Sequence, residues 1–166
     1  MKGVIMVNTE KCLACHSCRL GCAVEHSQTK ELFAAISEKP RLESRVIIES
    51  FSDVNVPLQC RHCEDAPCVR VCPTKALTKG ESQGAVLVNN DLCIGCKWCI
   101  VACPFGVITL SKESKGILKC DLCSENDNTS IPACVSSCPT KALEFTSLEN
   151  LTKEKRREFL VDLLDK

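Results

Sequence analysis

The sequence predicts an α+β protein of two similar modules, each built from short antiparallel β-hairpins and short helices, with a helix at the C-terminus. Three observations support this fold class. The 166 residues include 16 cysteines, which fall into four groups of four. The segment Cys-Pro-Thr-Lys-Ala-Leu occurs twice without a change, at 72–77 and at 138–143. Short runs rich in β-branched residues flank the cysteine groups, as expected for small hairpins repeated along a chain.

The individual elements follow from local patterns, taken in chain order. Residues 23–59 separate the first two cysteine groups and are predicted to be an insertion with a helix near 30–37. The polar segment 124–130 is predicted to be an exposed loop. The β-rich runs predict strands at 3–7, 45–49, 85–88, 106–110 and 142–146. Short helices are predicted at 20–25, 69–72, 100–103 and 135–138.

The C-terminal segment differs from the rest because it contains no cysteine. Residues 1–146 are predicted to form the double-module domain, and 147–166 a helical extension that is helical from about Leu151. An apolar stripe follows four basic residues in this helix. The stripe either packs on its own module or docks onto a larger partner. It comprises Phe159, Leu160, Leu163 and Leu164.

The composition leaves too few apolar side chains for an ordinary core. Hydrophobic residues make up 45% of the chain, but this figure includes the 16 cysteines. Without them the share falls to about 36%, below the usual apolar content of globular proteins. The chain has five Phe, one Trp and no Tyr, so something other than side chains must occupy part of the interior. Its 21 basic and 21 acidic residues cancel, which argues against binding to nucleic acid.

The cysteine spacing is typical of iron–sulfur clusters. Groups one and three have the spacing C-x2-C-x2-C-x3-C of bacterial ferredoxins, in which the fourth cysteine ligates the other cluster of a pair. Zinc usually takes two separated C-x2-C pairs, which groups two and four alone would allow. In groups one and three all four cysteines lie within 11 residues, which disfavours zinc. The four groups are Cys12, Cys15, Cys18, Cys22; Cys60, Cys63, Cys68, Cys72; Cys93, Cys96, Cys99, Cys103; and Cys120, Cys123, Cys134, Cys138.

The N-terminus argues against a disulfide framework. Its apolar stretch covers only residues 3–7, and polar residues follow at once, so we expect no secretory signal. No run reaches the roughly 18 apolar residues of a membrane span. We therefore expect a cytoplasmic protein with reduced thiols and no direct membrane insertion.

Other residues near the cysteines have simpler interpretations. His16 and His62 lie inside cysteine loops, but sixteen cysteines already supply four complete ligand sets. His26 lies outside the loops and is predicted to be a surface or packing residue. Trp98 is predicted to cover a cluster from water, and the alternative is that it mediates electron exit. The sequence contains no dinucleotide-binding loop and no hydrolase motif. With four ligands per cluster, no iron has a coordination position open to substrate. We therefore predict no catalytic residues.

Through about Phe145 the chain resembles the four-cluster ferredoxin-type electron-transfer subunits of anaerobic oxidoreductases. Within that family it is most similar to the iron–sulfur subunit that accompanies nickel carbon monoxide dehydrogenase. The closer resemblance rests on the segments CAVEHS at 22–27, PLQCRHCEDAPC at 57–68 and CPFGVI at 103–108. Formate dehydrogenase, hydrogenase-linked and tungsten aldehyde oxidoreductase subunits share much of the pattern.

The resemblance implies a nested pairing of the cysteine groups, which spacing alone leaves open. It implies two ferredoxin-like dicluster modules, one formed by groups two and three (about 54–110) and the other by groups one and four. The implied sets for four [4Fe–4S] clusters are Cys12, Cys15, Cys18 and Cys138; Cys60, Cys63, Cys68 and Cys103; Cys93, Cys96, Cys99 and Cys72; and Cys120, Cys123, Cys134 and Cys22.

The sequence departs from the family at two places. Ala23 replaces the usual proline after the fourth cysteine of group one, so we expect the helix there to continue toward the insertion. Lys75 and Lys141 stand where ferredoxins often have glycine, which leaves the backbone turn at these two positions open.

These features predict a non-catalytic electron-transfer subunit. It would relay single electrons between a catalytic enzyme, such as carbon monoxide dehydrogenase, and a hydrogenase, flavoprotein or ferredoxin. One alternative is a small electron-wire subunit of a formate dehydrogenase, hydrogenase or tungsten aldehyde oxidoreductase complex. This alternative includes a subunit that polymerises into a conductor. The other is a structural zinc module.

Overall fold

The computed structural model describes residues 3–80, 84–112, 115–124 and 131–164. The predicted loop at 124–130 lies outside these residues except for Ser124. Within them, eight strands form four separate two-stranded antiparallel sheets. Strand β1 (Gly3–Val7) pairs with β8 (Leu143–Ser147), β2 (Ile47–Phe51) with β3 (Val54–Leu58), β4 (Leu77–Lys79) with β5 (Val86–Val88), and β6 (Thr109–Leu110) with β7 (Ile117–Leu118).

Five of the six described α-helices are short. They are α1 (Ser17–Glu25), α2 (Leu32–Ile36), α3 (Pro67–Arg70), α4 (Trp98–Ala102), α5 (Ala133–Ser136) and the longer α6 (Leu148–Leu164). Helix α1 packs against α5, and α3 packs against α4. The molecule is thus a small α+β protein of hairpins and short helices, as the sequence predicts.

The internal repeat is visible in the hydrogen bonds. The Asn8 side chain accepts from Glu10 N at 3.1 Å, and the Asn89 side chain accepts from Asp91 N at 2.9 Å. The backbone N–H of Asn8 donates to Ala142 O, and that of Asn89 donates to Ala76 O, both at 2.8 Å. Each asparagine therefore joins the strand before one cysteine loop to the chain that follows another group.

Several predicted boundaries are wrong for identifiable reasons. The predicted strand at 106–110 is reduced to Thr109–Leu110, because Gly106 has a φ of 62° and turns the chain. The helices predicted at 69–72 and 135–138 begin earlier, at Pro67 and Ala133, and proline favours such a helix start. The sequence did not predict β3, because Pro57 disfavours a strand assignment. Proline is tolerated here because β3 pairs with β2 alone and is therefore an edge strand, in which a missing N–H donor costs little.

Buried residues form two cores, and cysteines are prominent in both. The first contains Ile5, Val46 and Leu143 together with buried Cys18, Cys22, Cys120 and Cys134. The second contains Leu77, Val86, Ile108 and Ile117 together with Cys68 and Cys99. Both cores thus combine strand residues with cysteines.

Helix α6 extends away from these cores. Its side chains are exposed from Thr152 to Leu164, and Phe159 and Leu164 are 64% and 82% exposed. The expectation that the apolar stripe packs on its own module is therefore wrong. None of the described helices is long and apolar enough to cross a membrane.

Candidate iron–sulfur cluster sites

The first cysteine loop joins β1 to α1 and lies against the end of group four. Its three cysteines and one cysteine from group four line a single cavity, and these are Cys12, Cys15, Cys18 and Cys138. Burial, opposed by one backbone hydrogen bond, raises the pKa of the Cys18 thiol to about 11, and the nearby Cys138, Cys12 and Cys15 add to the rise. Four sulfurs from two distant groups therefore converge here.

A second cavity contains three cysteines of group two and one of group three. Its cysteines are Cys60, Cys63, Cys68 and Cys103. Burial raises the pKa of the Cys68 thiol, and the negative charges of Cys60 and Cys103 act in the same direction. This cavity matches the first in its donor set and in the way two groups share it.

Two further buried thiols, of Cys134 and Cys99, also have other cysteines as close neighbours. Burial raises the pKa of Cys134, and the charges of Cys120, Cys22 and Cys123 add to this effect. Cys99 similarly has Cys93 and Cys96 as charged neighbours. Val71, which precedes Cys72, shares a surface pocket with Cys96. Cys72 and Cys93 both pack against the core that contains Cys99.

Residues with left-handed backbone conformations shape the loops at matching positions of the repeat. The matched pairs, with their φ angles, are Ala14 (51°) and Gly95 (69°), His16 (62°) and Lys97 (66°), His62 (48°) and Leu122 (61°), and Lys75 (55°) and Lys141 (53°). Such a turn directs backbone N–H groups into the concave side of a loop. The turn that ferredoxins often make with glycine is therefore made here with lysine.

Backbone N–H groups point at several of these sulfurs. His62 N lies 3.4 Å from Cys60 Sγ, and Leu122 N lies 3.5 Å from Cys120 Sγ. Ala142 N lies 3.2 Å from Cys138 Sγ, directly after the turn at Lys141. Hydrogen bonds to sulfur stabilise thiolates and tune iron–sulfur clusters.

A partly buried ion-pair network lies beside Cys22, and the sequence predicted no functional role for its three members. His26 Nε2 lies 3.1 Å from Asp121 Oδ1, and His26 Nδ1 donates to Cys22 O at 2.7 Å. Arg45 pairs with the other carboxylate oxygen of Asp121. Burial opposes the charged forms of both His26 and Asp121. The hydrogen bond from His26 and the charge of Arg45 nevertheless lower the pKa of Asp121. The hydrogen bonds to Asp121 and Cys22 likewise raise the pKa of His26.

The prediction that His26 is a surface or packing residue is thus incomplete. Its side chain is only 13% exposed and links helix α1 to the group-four loop. His26, Asp121 and Cys123 have ligand atoms within 4.8 Å of one another. However, the Asp121 carboxylate already pairs with Arg45, and the His26 imidazole donates to Cys22 O. These side chains therefore balance one another's charges, and we assign no metal ion to them.

The other two histidines and the tryptophan lie in different environments. His16 is exposed and faces Arg19, with His16 Nδ1 and Arg19 Nη1 3.4 Å apart. His62 is largely buried, and its Nδ1 accepts from Val86 N at 2.9 Å. Trp98 is 65% exposed, and its role in covering a cluster stays a prediction.

The donor set suits iron–sulfur clusters. Thiolate sulfurs are the ligands that these clusters take, and each of the two cysteine-lined cavities has four. The sixteen cysteines, all among the described residues, form no disulfide with one another. When bound, such clusters supply one-electron transfer.

Comparison with known proteins decides the family. Residues 52–148 match the model of the 4Fe-4S dicluster domain, over more than half of the chain. The chain belongs to the 4Fe-4S dicluster family. Its sixteen cysteines fit four [4Fe–4S] clusters, and the match includes groups two, three and four.

Curated relatives agree with this family. An iron–sulfur protein of Rhodospirillum rubrum is 40% identical, over 88% of this chain and 83% of its own length. The electron transport protein HydN of Escherichia coli is 33% identical, over 95% of this chain and 97% of its own. Formate hydrogenlyase subunit 2 of Escherichia coli is 34% identical, over 94% of this chain and 89% of its own. This dicluster protein is therefore an electron-transfer iron–sulfur protein.

Proposed function

We propose that the chain is a non-catalytic relay subunit that binds four [4Fe–4S] clusters and passes single electrons between two redox enzymes. The observation that carries this proposal is the convergence of cysteines from distant groups into shared sites. Every cysteine then has a ligand role, and none is left as a nucleophile. The cytoplasm, where thiols stay reduced, is the proposed location.

The proposed ligand sets cross between groups. Groups one and four share two clusters, and groups two and three share two, so each pair makes one dicluster module within residues 1–146. The 54–110 module contains β4, β5, α3 and α4. The sets are Cys12, Cys15, Cys18 and Cys138; Cys60, Cys63, Cys68 and Cys103; Cys93, Cys96, Cys99 and Cys72; and Cys120, Cys123, Cys134 and Cys22.

Iron and sulfide analysis of the anaerobically purified protein tests cluster binding. About sixteen irons and sixteen sulfides per chain are expected for four cubane clusters. A colourless protein that contains zinc and no sulfide would instead support the structural zinc module.

A cysteine variant tests the crossed ligand sets. In Cys22→Ala, the proposal expects Cys120, Cys123 and Cys134 to become reactive to an alkylating agent, while Cys12, Cys15 and Cys18 stay protected. Peptide mass spectrometry after brief anaerobic alkylation measures this, and Cys138→Ala is the matched variant with the opposite expected pattern. If Cys22→Ala instead uncovers the other cysteines of its own group, the crossed assignment is wrong.

The proposed catalytic partner is carbon monoxide dehydrogenase. The segments 22–27, 57–68 and 103–108 support this partner through their resemblance to its iron–sulfur subunit. A formate dehydrogenase or hydrogenase complex is the second candidate, and the relative named formate hydrogenlyase subunit 2 favours it.

Cluster reduction by purified enzymes separates these two partners. Carbon monoxide with substoichiometric carbon monoxide dehydrogenase should bleach the visible absorption of the oxidised relay within seconds to minutes. Formate with a formate dehydrogenase is the parallel arm, and each substrate without enzyme is the control. Faster bleaching in the formate arm would replace the first partner with the second.

A further inference from the structure

Two polar side chains are fully enclosed in the described part of the chain, and they occupy matching positions of the repeat. Gln59 and Lys119 are each 2% exposed. Gln59 directly precedes Cys60, and Lys119 directly precedes Cys120, the first cysteines of groups two and four. One position thus carries a neutral amide and the other a positive charge.

The Lys119 ammonium reaches from one group to the other. Its Nζ donates to Cys120 O at 2.5 Å and lies 3.6 Å from Cys60 Sγ. Among the described residues no carboxylate lies within 4.0 Å of it. A buried charge without a counter-charge is strongly unfavourable, so such a lysine needs a negative group nearby.

The neighbouring His62 is held by a backbone donor. Its Nδ1 accepts a hydrogen bond from Val86 N at 2.9 Å, so this nitrogen carries no proton and the imidazole is not a second cation. Lys119 Nζ is thus the cationic group that the structure places beside Cys60 Sγ.

We propose that Lys119 is a positioning residue whose buried ammonium raises the reduction potential of the cluster held by Cys60, and of its neighbour held by Cys120. This rests on the proposed cluster ligation. Four thiolates contribute −4 to a cluster and an oxidised [4Fe–4S] core contributes +2, so each oxidised cluster carries −2 and gains a further negative charge on reduction. A cation fixed against a ligand sulfur stabilises the reduced form more than the oxidised form, because the attraction grows with the negative charge.

The test is Lys119→Met, which keeps the length and removes the charge. In an anaerobic redox titration followed by electron paramagnetic resonance, at least one of the reduction steps should move to lower potential. The expected change is at least tenfold in the ratio of oxidised to reduced cluster at a fixed potential, which is 59 mV for a one-electron couple. Unchanged steps in a variant with full iron content would overturn the proposal.

Two further variants separate charge from packing. Gln59→Met changes the equally buried matching position without changing charge, and its potentials should stay those of the wild type; an equal shift would overturn the charge assignment. If Lys119→Met loses iron, Lys119→Arg is the deciding variant. Retention of about sixteen irons in Lys119→Arg supports a requirement for positive charge, and loss of iron from both variants overturns that requirement. A wild-type protein without clusters would count against the proposed function itself.

Discussion

At the scale of single residues, the two copies of Cys-Pro-Thr-Lys-Ala-Leu adopt the same geometry. Lys75 and Lys141 have φ angles of 55° and 53°. In both copies the cysteine Sγ and the threonine Oγ1 two residues later lie 3.7 Å apart. The left-handed turn is therefore a property of the segment, made in spite of the cost that a Cβ brings to this conformation.

Lys141→Gly should stabilise the protein by about 1 kcal/mol, because glycine adopts this φ without steric cost. The temperature at which the cluster absorption is lost on anaerobic heating measures the effect. Lys141→Ala is the control, because it removes the ammonium and keeps the Cβ. A rise as large in the alanine variant would show that the side-chain charge, and not the backbone angle, is responsible.

Three side chains that contact one another near Cys22 are far apart in sequence, so no local pattern predicts their contacts. His26 and Asp121 are separated by 95 positions, and Arg45 and Asp121 by 76. Each of the three looks like an ordinary surface residue by itself. Only the packing of α1 against the group-four loop turns them into a network beside Cys22.

At the scale of elements, the two related helices α1 and α4 differ in length. Helix α1 has nine residues and continues past Cys22 to Glu25, whereas α4 has five and ends before Cys103. Pro104 follows Cys103, and Ala23 stands at the matching position after Cys22. The expected continuation of the group-one helix is confirmed, and it brings His26 to Asp121.

Ala23→Pro should cost about 3 kcal/mol, because a proline at this interior position removes a helical hydrogen bond and clashes with the preceding turn. Ala23→Gly is the graded control and should cost about 1 kcal/mol. The urea concentration at half loss of the cluster absorption, measured anaerobically, compares the two. Equal midpoints for both variants would contradict a helical role for residue 23.

At the scale of the whole molecule, cysteines provide much of the interior. They are four of the nine buried residues of the first core and two of the seven of the second. Burial, only partly offset by hydrogen bonds, raises the pKa of the Cys120 thiol to about 12 and of Cys123 to about 11, so without metal these thiols are protonated near neutral pH. Cluster binding must therefore displace protons, and the core is completed only when it does.

Removal of iron should unfold the chain. Anaerobic treatment with a chelator and an oxidant is expected to abolish most of the ordered far-ultraviolet circular dichroism, because the remaining apolar content is too small for a stable core. Reconstitution with iron and sulfide should restore it. The same treatment of a zinc-free, cluster-free globular protein is the control, and an apoprotein with dispersed amide proton resonances would contradict the prediction.

The sequence by itself determined the fold class, the presence of the clusters and the extension of α1, because cysteine spacing, an internal repeat and a missing proline are local signals. The tertiary structure decided which distant groups approach each other, that α6 projects from the cores, and that Lys119 points its charge at Cys60 Sγ. These features depend on contacts between segments that are far apart in the chain. No local pattern distinguishes a lysine that is solvated from one that is 2% exposed between two cysteine loops.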